Sequence, residues 1–307
     1  MNTRTLLALT LLTASPLSAH AQAAPAAPAP SAPNAQSITL RYKFTPGQIH
    51  RFKFHIDMDG LMPSPAGGAG TPLQMTMQMT MRQTVKNVRA SDGAATISSQ
   101  IEDAHTVVNG KETALPQAQL DQMKKPSTMV MLPSGKILSF DMPAIGGAGL
   151  PGTDFSQGMF NSTAALPDGP VRVGDTWKGS AGMPVAGTKM TFTSTLNSLS
   201  QTKPSLATIG QQQAGVIDMT LSQGMPVAMK MTGTVKGSGT QVFDADAGAL
   251  VSTTGTASTD MTMTFGKPAD GSALPPGMPA AMNVQMKTTI TMQRLDGMAQ
   301  TVAPAAP

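Results

Sequence analysis

The chain has 307 residues, of which 12% are charged and none is cysteine, and its formal net charge is +4. The lack of cysteine excludes disulfide frameworks, cysteine-ligated metal sites and thiol nucleophiles. The low charge density is atypical of nucleic-acid-binding proteins, so we expect no nucleic-acid partner. Methionine is the unusual component: it occurs 25 times, whereas aromatic residues make up only 4% of the chain.

The N-terminus has the three parts of a secretory signal peptide. Arg4 supplies the positive charge, Leu6–Leu12 the apolar region, and Ala19-His20-Ala21 a cleavage site of the small-x-small type. The apolar run is much shorter than the roughly 20 residues of a membrane-spanning helix. We therefore predict cleavage near Ala21, which leaves an exported protein, periplasmic or extracellular, without a transmembrane anchor.

Hydrophobic and polar residues alternate along most of the chain, with the two-residue period of strands that bury one face. Ile38–Phe44 and Phe52–Met58 show this period on either side of the Pro46-Gly47 turn. It recurs in five segments that carry methionine: Met75–Met81, Met190–Phe192, Val227–Met231, Met261–Phe265 and Val284–Met292. Short helices are predicted at Gln117–Lys124 and Asp154–Phe160. The pattern predicts an all-β protein with minor helix, in which curved antiparallel sheets form a half-barrel, clam or barrel-like domain.

The chain divides into a signal peptide, an Ala/Pro-rich linker, one β-rich domain and a short tail. A weak internal repeat supports the middle part, because two short motifs recur at nearly the same offset. Ala95-Thr96-Ile97 resembles Ala207-Thr208-Ile209, and Gly135–Ser139 resembles Gly248–Ser252. The predicted boundaries are 1–21, a disordered linker at 22–36, a β-rich domain at 37–298 and a disordered tail at 299–307. The domain is predicted to contain pseudo-repeats at about 38–140 and 170–255, followed by closing strands at 256–296.

One motif resembles a known family. Leu166–Trp177 (LPDGPVRVGDTW) is similar to the LP-x-x-x-V-x-V-G-D-T/S-W segment of an uncharacterised family of exported bacterial β-rich proteins. The resemblance implies an antiparallel sheet fold of unknown activity, and it implies no catalytic residues. A structural role is predicted for the end of the motif, since glycine suits a turn and tryptophan a core anchor. Its residues are Gly174, Asp175, Thr176 and Trp177.

The sequence lacks a catalytic motif, so we predict a protein that is not an enzyme and holds no cofactor. His50 and His55 differ by an odd number, which places them on opposite faces of a continuous strand. Asp244–Gly248 has some features of a calcium loop, but the bidentate glutamate is missing, and we predict a hairpin turn instead.

The methionines leave three functional hypotheses open for a monomeric binding module. In the first, a methionine-rich concave sheet face holds an apolar small molecule or lipid, because a flexible thioether adapts to irregular ligands. In the second, the same face is a filled core in a structural or envelope interaction protein. In the third, thioethers at Met75–Met81 bind Cu(I), which prefers soft sulfur ligands.

Two sets of methionines are predicted to form the apolar-ligand site. The proposed sheet face consists of Met75, Met77, Met79, Met81, Met229, Met231, Met261, Met263, Met286 and Met292. A rim of flexible loops is predicted at the five Met-Pro pairs, through Met62, Met142, Met183, Met225 and Met278. Apolar groups that cluster at a surface usually mark an interaction site.

Overall fold

A computed structural model describes residues 37–62, 71–114, 117–141, 166–182, 188–203, 205–221, 227–268 and 280–296. All of these ranges belong to one unit, residues 36–307. Several predictions concern residues outside the described ranges. They are the signal peptide, the linker, the C-terminal tail, the helix at 154–160 and the loop residues Met142, Met183, Met225 and Met278.

Strands dominate the described part of the chain, and its one α-helix is short. The strands are β1 (Ile49–Met62), β2 (Thr71–Val88), β3 (Ala95–Val108), β4 (Lys111–Glu112), β5 (Ser127–Met131), β6 (Ile137–Asp141), β7 (Thr176–Gly182), β8 (Thr188–Leu199), β9 (Leu206–Leu221), β10 (Val227–Asp244), β11 (Ala249–Pro268) and β12 (Ala281–Arg294). Helix α1 spans Gln117–Met123. None of the helices in these ranges is long and apolar enough to cross a membrane.

The strands form one antiparallel sheet in the order β6-β5-β3-β2-β1-β12-β11-β10-β9-β8-β7, and β4 pairs with β3 outside this path. The predicted antiparallel all-β fold with minor helix is confirmed. The sheet has two free ends, β6 and β7, so it is not closed into a barrel. Strand β12 joins the two halves by pairing with β1 on one side and β11 on the other.

One face of the sheet carries the hydrophobic core, and we call it the inner face. On β1 the buried residues are Phe52, Phe54, Ile56 and Met58, each separated from the next by an outward-facing polar residue. Their cross-strand partners on β2 are likewise hydrophobic; for example, Phe54 lies opposite Met79. Buried residues of β8, β9 and β10 belong to the same core cluster, so both halves of the sheet contribute to one core.

The segment before β1, residues 37–45, is not the strand that its alternating pattern predicts. Its only strand-like pairing is an isolated bridge between Ile38 and Val171. Further along, the Tyr42 N–H donates to the Pro133 carbonyl oxygen at 2.8 Å, and the Lys43 N–H donates to Gly248 at 3.0 Å. The prediction failed because the backbone groups find partners in three separate loops rather than along one neighbouring strand. The prediction that the hydrophobic residues of this segment face inward is nevertheless correct for Leu40, which is completely buried.

Glycine and proline content predicts loops around two of the Met-Pro pairs, at Gly60–Pro72 and Gly266–Met282, but parts of both segments are strands. Gly60–Met62 belongs to β1 and Thr71-Pro72 to β2, so the first connection is 63–70. Similarly, Gly266–Pro268 ends β11, and Met282 lies within β12. Ladder hydrogen bonds to neighbouring strands outweigh the weak strand propensity of these residues.

The predicted repeat motifs lie at comparable places in the sheet. Ala95-Thr96-Ile97 begins β3, and Ala207-Thr208-Ile209 follows the first residue of β9. Gly135 and Gly248 have φ values of 81° and 59° in the turns before β6 and β11. The boundaries of the pseudo-repeats stay a prediction.

The turn between β10 and β11 is held together by Asp244. Its Oδ1 accepts the N–H groups of Asp246 and Ala247, both at 3.0 Å, and its Oδ2 accepts the Lys203 ammonium at 2.6 Å. Burial by itself would raise the pKa of Asp244, but these hydrogen bonds and the Lys203 charge hold it below its usual value. The carboxylate therefore replaces backbone partners that a tight turn lacks.

Asp244→Asn is expected to lower the free energy of unfolding by about 2–3 kcal/mol at pH 7, because hydrogen bonds to a charged group are lost. The pKa of the folded state is depressed, so this stabilisation is fully present above the unfolded pKa of about 3.9 and is lost as the pH falls from there through the lower folded-state pKa. Urea denaturation at pH 7 and pH 3 should show the gap between wild type and variant closing. Asp246→Asn, an exposed change in the same turn, is the control; an equal loss there would contradict this role.

Candidate functional site

An apolar cavity of about 80 Å³ lies on the inner face of the first half of the sheet. Such a volume equals that of about two or three water molecules in the liquid, at roughly 30 Å³ each, or of the end of an alkyl chain. It is well below the range of roughly 300–1,000 Å³ found for drug-sized ligands. The hydrophobic walls come from seven strands and the N-terminal segment, through Tyr42, Phe44, Phe52, Phe54, Met81, Val85, Ile97, Met129, Met131, Ile137, Ala249, Leu250 and Met292.

Aromatic rings form one wall of the cavity. The ring of Tyr42 stacks on Phe44 with 5.9 Å between centroids and meets Phe243 edge to face at 5.2 Å. Burial raises the pKa of the Tyr42 phenol well above its ordinary value, so the phenol is neutral at physiological pH. Segment 37–45 therefore supplies two of the rings in this wall, although it forms no strand.

Polar side chains form one row of the otherwise apolar inner face. His50 of β1 lies opposite Gln83 of β2, and Gln83 lies opposite Ser99 of β3. His50 and Gln83 line the cavity. The Ser99 hydroxyl is buried without a hydrogen-bond partner. Burial lowers the pKa of His50, and the nearby Arg294 charge lowers it further, while Asp296 acts in the opposite direction. His50 is therefore neutral at pH 7.

Arg294 lies in the next row of the inner face, opposite Phe52. Only 8% of its surface is exposed, and its Nε–H has no hydrogen-bond partner. None of the ion pairs between described residues includes Arg294. The nearby Asp296 carboxylate instead accepts the backbone N–H of Arg51. A buried guanidinium without a carboxylate is unusual, because removing such a charge from water is costly.

The predicted methionine face is divided between buried and half-buried positions. The buried side chains are Met79, Met81, Met229, Met231 and Met292. The half-buried ones are Met75, Met77, Met261, Met263 and Met286. Of these ten, Met81 and Met292 line the cavity, together with Met129 and Met131, which were not predicted. The other eight predicted methionines are not among the residues that line this cavity.

A second methionine arrangement crosses the strands rather than following one. Met219, Met231, Met263 and Met282 are successive cross-strand neighbours on β9, β10, β11 and β12. Opposite Cβ atoms of an antiparallel pair are about 4.5–5.5 Å apart, closer than the roughly 6.7 Å between alternate residues of one strand. The Cu(I) alternative considered Met75–Met81 along one strand, and it stays a prediction.

The remaining predicted residues lie away from the cavity lining. Met62 ends β1, paired with Thr71 of β2, rather than lying in a loop. Gly174 has φ 95°, and its N–H donates to the Leu196 carbonyl at 2.8 Å. The Asp175 carboxylate accepts the Arg172 N–H at 2.8 Å, which closes the turn before β7. The Thr176 hydroxyl meets Thr195 at 3.1 Å, and Trp177 packs half-buried against the core.

Sequence reasoning missed the polar groups beside the cavity. Arg294 continues the alternation of Ile290 and Met292, so parity alone places it on the inner face. His50 is two residues before Phe52 and therefore lies on the same face. The prediction that His50 and His55 lie on opposite faces agrees with the structure, because His55 is on the outer face, where its Nε2 lies 2.9 Å from Oδ2 of Asp57. Within the described ranges, no three His, Cys, Asp or Glu side chains group as a metal site.

These features define an open-sheet antiparallel β protein with a small apolar cavity bordered by buried polar groups. Residues 152–250 match the model of a family of unknown function, DUF6263, and this stretch contains the Leu166–Trp177 motif. The match agrees with the expected resemblance to an uncharacterised family. No curated protein matches the sequence.

Two solved structures show weak similarity. DynF, from the dynemicin biosynthesis pathway of Micromonospora chersina, is 7% identical over 84% of this chain and 85% of that chain, with a TM-score of 0.21. A proposed AttH from Nitrosomonas europaea is 10% identical over 78% of this chain and 92% of that chain, with a TM-score of 0.13. Scores this low carry no argument about fold or function.

Proposed function

We propose that the chain is an exported, non-enzymatic binding module that holds an apolar group in the cavity on its inner sheet face. The observation that carries the proposal is the cavity itself, whose lining is almost entirely hydrophobic. An apolar void of this kind stays dry and accepts apolar guests, because water gains too few hydrogen bonds there.

The cavity walls are suited to a ligand of variable shape. Met81, Met129, Met131 and Met292 supply flexible thioethers, which adjust to irregular groups with little strain. The size of the cavity limits the guest to a small apolar molecule or to one end of a longer chain. Export from the cytoplasm is part of the proposal and rests on the signal-peptide pattern of residues 1–21.

Ile97→Phe is expected to weaken binding by filling the cavity. Ile97 is 3% exposed and lines the cavity, so the larger ring projects into the space that a ligand would occupy. Steric overlap that costs about 1–3 kcal/mol lowers the affinity roughly 5- to 150-fold. Binding is measured by the fluorescence of N-phenylnaphthylamine, a neutral apolar probe, with circular dichroism to verify that the fold is retained.

The matched control is Ile101→Phe, the same change on the inner face of the same strand but outside the cavity lining. It should bind the probe as wild type does. A folded wild-type chain that binds no probe, and that carries no lipid in native mass spectrometry, would overturn the proposal. That result would support the alternative of a structural or envelope interaction protein with a filled core.

A further inference from the structure

The cavity has a charged neighbour that the apolar-ligand proposal leaves unexplained. Arg294 lies on the same sheet face as the lining residues Phe52 and Met292, opposite the first and two positions after the second. Its charge acts on His50, which is itself part of the lining. The guanidinium is therefore beside the cavity and not on a separate surface.

The protein provides no described anion for this guanidinium. No described carboxylate forms an ion pair with Arg294: Oδ2 of Asp296 accepts the Arg51 N–H, and Glu102 is bound to Arg51 and Arg82 through contacts of 3.1 and 3.4 Å. The buried Nε–H of Arg294 has no acceptor, whereas nearly all buried polar groups in folded proteins have one. A second buried group, the Ser99 hydroxyl, also lacks a partner in the adjacent row.

We propose that the ligand is an anionic amphiphile, with its alkyl end in the cavity and its carboxylate or phosphate head on Arg294. The inference rests on the proposed function, because it uses the same cavity for the tail. A planar guanidinium binds both kinds of head through charge-assisted hydrogen bonds, which are about twice as strong as neutral ones. His50 and Gln83 supply further hydrogen-bonding groups at the cavity wall.

The choice of an amphiphile follows from the two properties of the site together. A free inorganic anion would leave the hydrophobic cavity empty, and a neutral hydrocarbon would leave Arg294 without an acceptor. A single-chain molecule satisfies both groups at once and is consistent with a cavity that has room for one chain end.

Three probes that share the same twelve-carbon tail but differ in the head group test the inference: dodecanoate, dodecyl phosphate and dodecanol. Each is titrated into the purified protein below its aggregation concentration, and binding is measured by calorimetry. We expect wild type to bind at least one of the anions about tenfold or more tightly than the alcohol, as a charged hydrogen bond implies. Comparison of the two anions identifies the preferred head. Equal affinity for all three probes would overturn the inference while the proposed function stands; binding of none would overturn both.

Arg294→Met shows whether the preference arises at this residue. The variant is expected to lose the roughly tenfold preference for the anion and to keep its affinity for dodecanol. It should also fold, because replacement of an unpaired buried charge by an apolar side chain of similar length is commonly neutral or stabilising. Arg51→Gln, at an exposed arginine paired with Glu102, is the control and should keep the preference. A preference that survives in Arg294→Met, or disappears equally in Arg51→Gln, contradicts the inference.

Discussion

Gly248→Ala is expected to lower the free energy of unfolding by about 3 kcal/mol or more, because two separate costs combine at this position. The residue has φ 59°, where an L side chain costs about 1–2 kcal/mol. A Cβ atom would also lie 2.5 Å from the backbone nitrogen of Lys43, an overlap that backbone movement must relieve. That movement disturbs the hydrogen bond from the Lys43 N–H to the Gly248 carbonyl. Chemical denaturation of wild type and variant measures the difference.

Gly174→Ala separates the two costs. Gly174 also has a positive φ, of 95°, but no atom lies within 4 Å of the position that a Cβ would take. The control should therefore lose only the conformational part, about 1–2 kcal/mol. Equal losses for the two variants would show that the contact between Lys43 and the β10–β11 turn contributes nothing to stability.

Phe243→Ala is expected to cost about 3–5 kcal/mol, since removal of a fully buried ring leaves a large void in the core. Phe243 has no exposed surface and meets the Tyr42 ring edge to face. Phe265→Ala, at a half-buried position of β11, should cost less, about 1–2 kcal/mol. Thermal and urea unfolding would give both values; a loss at Phe243 no larger than at Phe265 would mean that the ring does not anchor the core.

A double-mutant cycle tests whether Phe243 acts through the N-terminal segment. Combining Phe243→Ala with Tyr42→Ala should reveal a coupling energy of about 0.5–1.5 kcal/mol, typical of an edge-to-face aromatic pair. Strict additivity of the two single losses would show that the segment and β10 are energetically independent.

The two-residue hydrophobic period predicted the sheet well because the same residues that alternate also divide into buried and exposed faces. Phe52, Phe54 and Ile56 are buried in turn, with polar residues between them on the outer face. The hydrophobic period does not show whether a segment has a neighbouring strand with which its backbone can pair. Ile38–Phe44 alternates as clearly as β1, yet its backbone bonds to three loops, a result that depends on distant parts of the chain.

The site was less predictable than the fold because its residues meet only through strand register. The alternation along each strand places His50 and Arg294 on the inner face. Only the pairing of β1 with β2 and β12 shows that both residues lie at the same end of that face. Methionine content does not distinguish core from cavity wall, because its flexible apolar side chain serves in both.

The contacts of residues 37–45 have a consequence for the order in which the chain can fold. This segment comes early in the sequence, whereas its three hydrogen-bonding partners are at residues 133, 171 and 248. Closure of such long loops is slow because much chain entropy is lost before any contact forms. A chain growing from its N-terminus cannot complete the cavity wall until the turn at Gly248 has been synthesised. Tyr42 and Phe44 can meet their neighbours Val85 and Met129 early in synthesis, but Tyr42 has no edge-to-face partner until Phe243 emerges, and the incomplete apolar wall can meanwhile associate with other unfolded chain or with a chaperone.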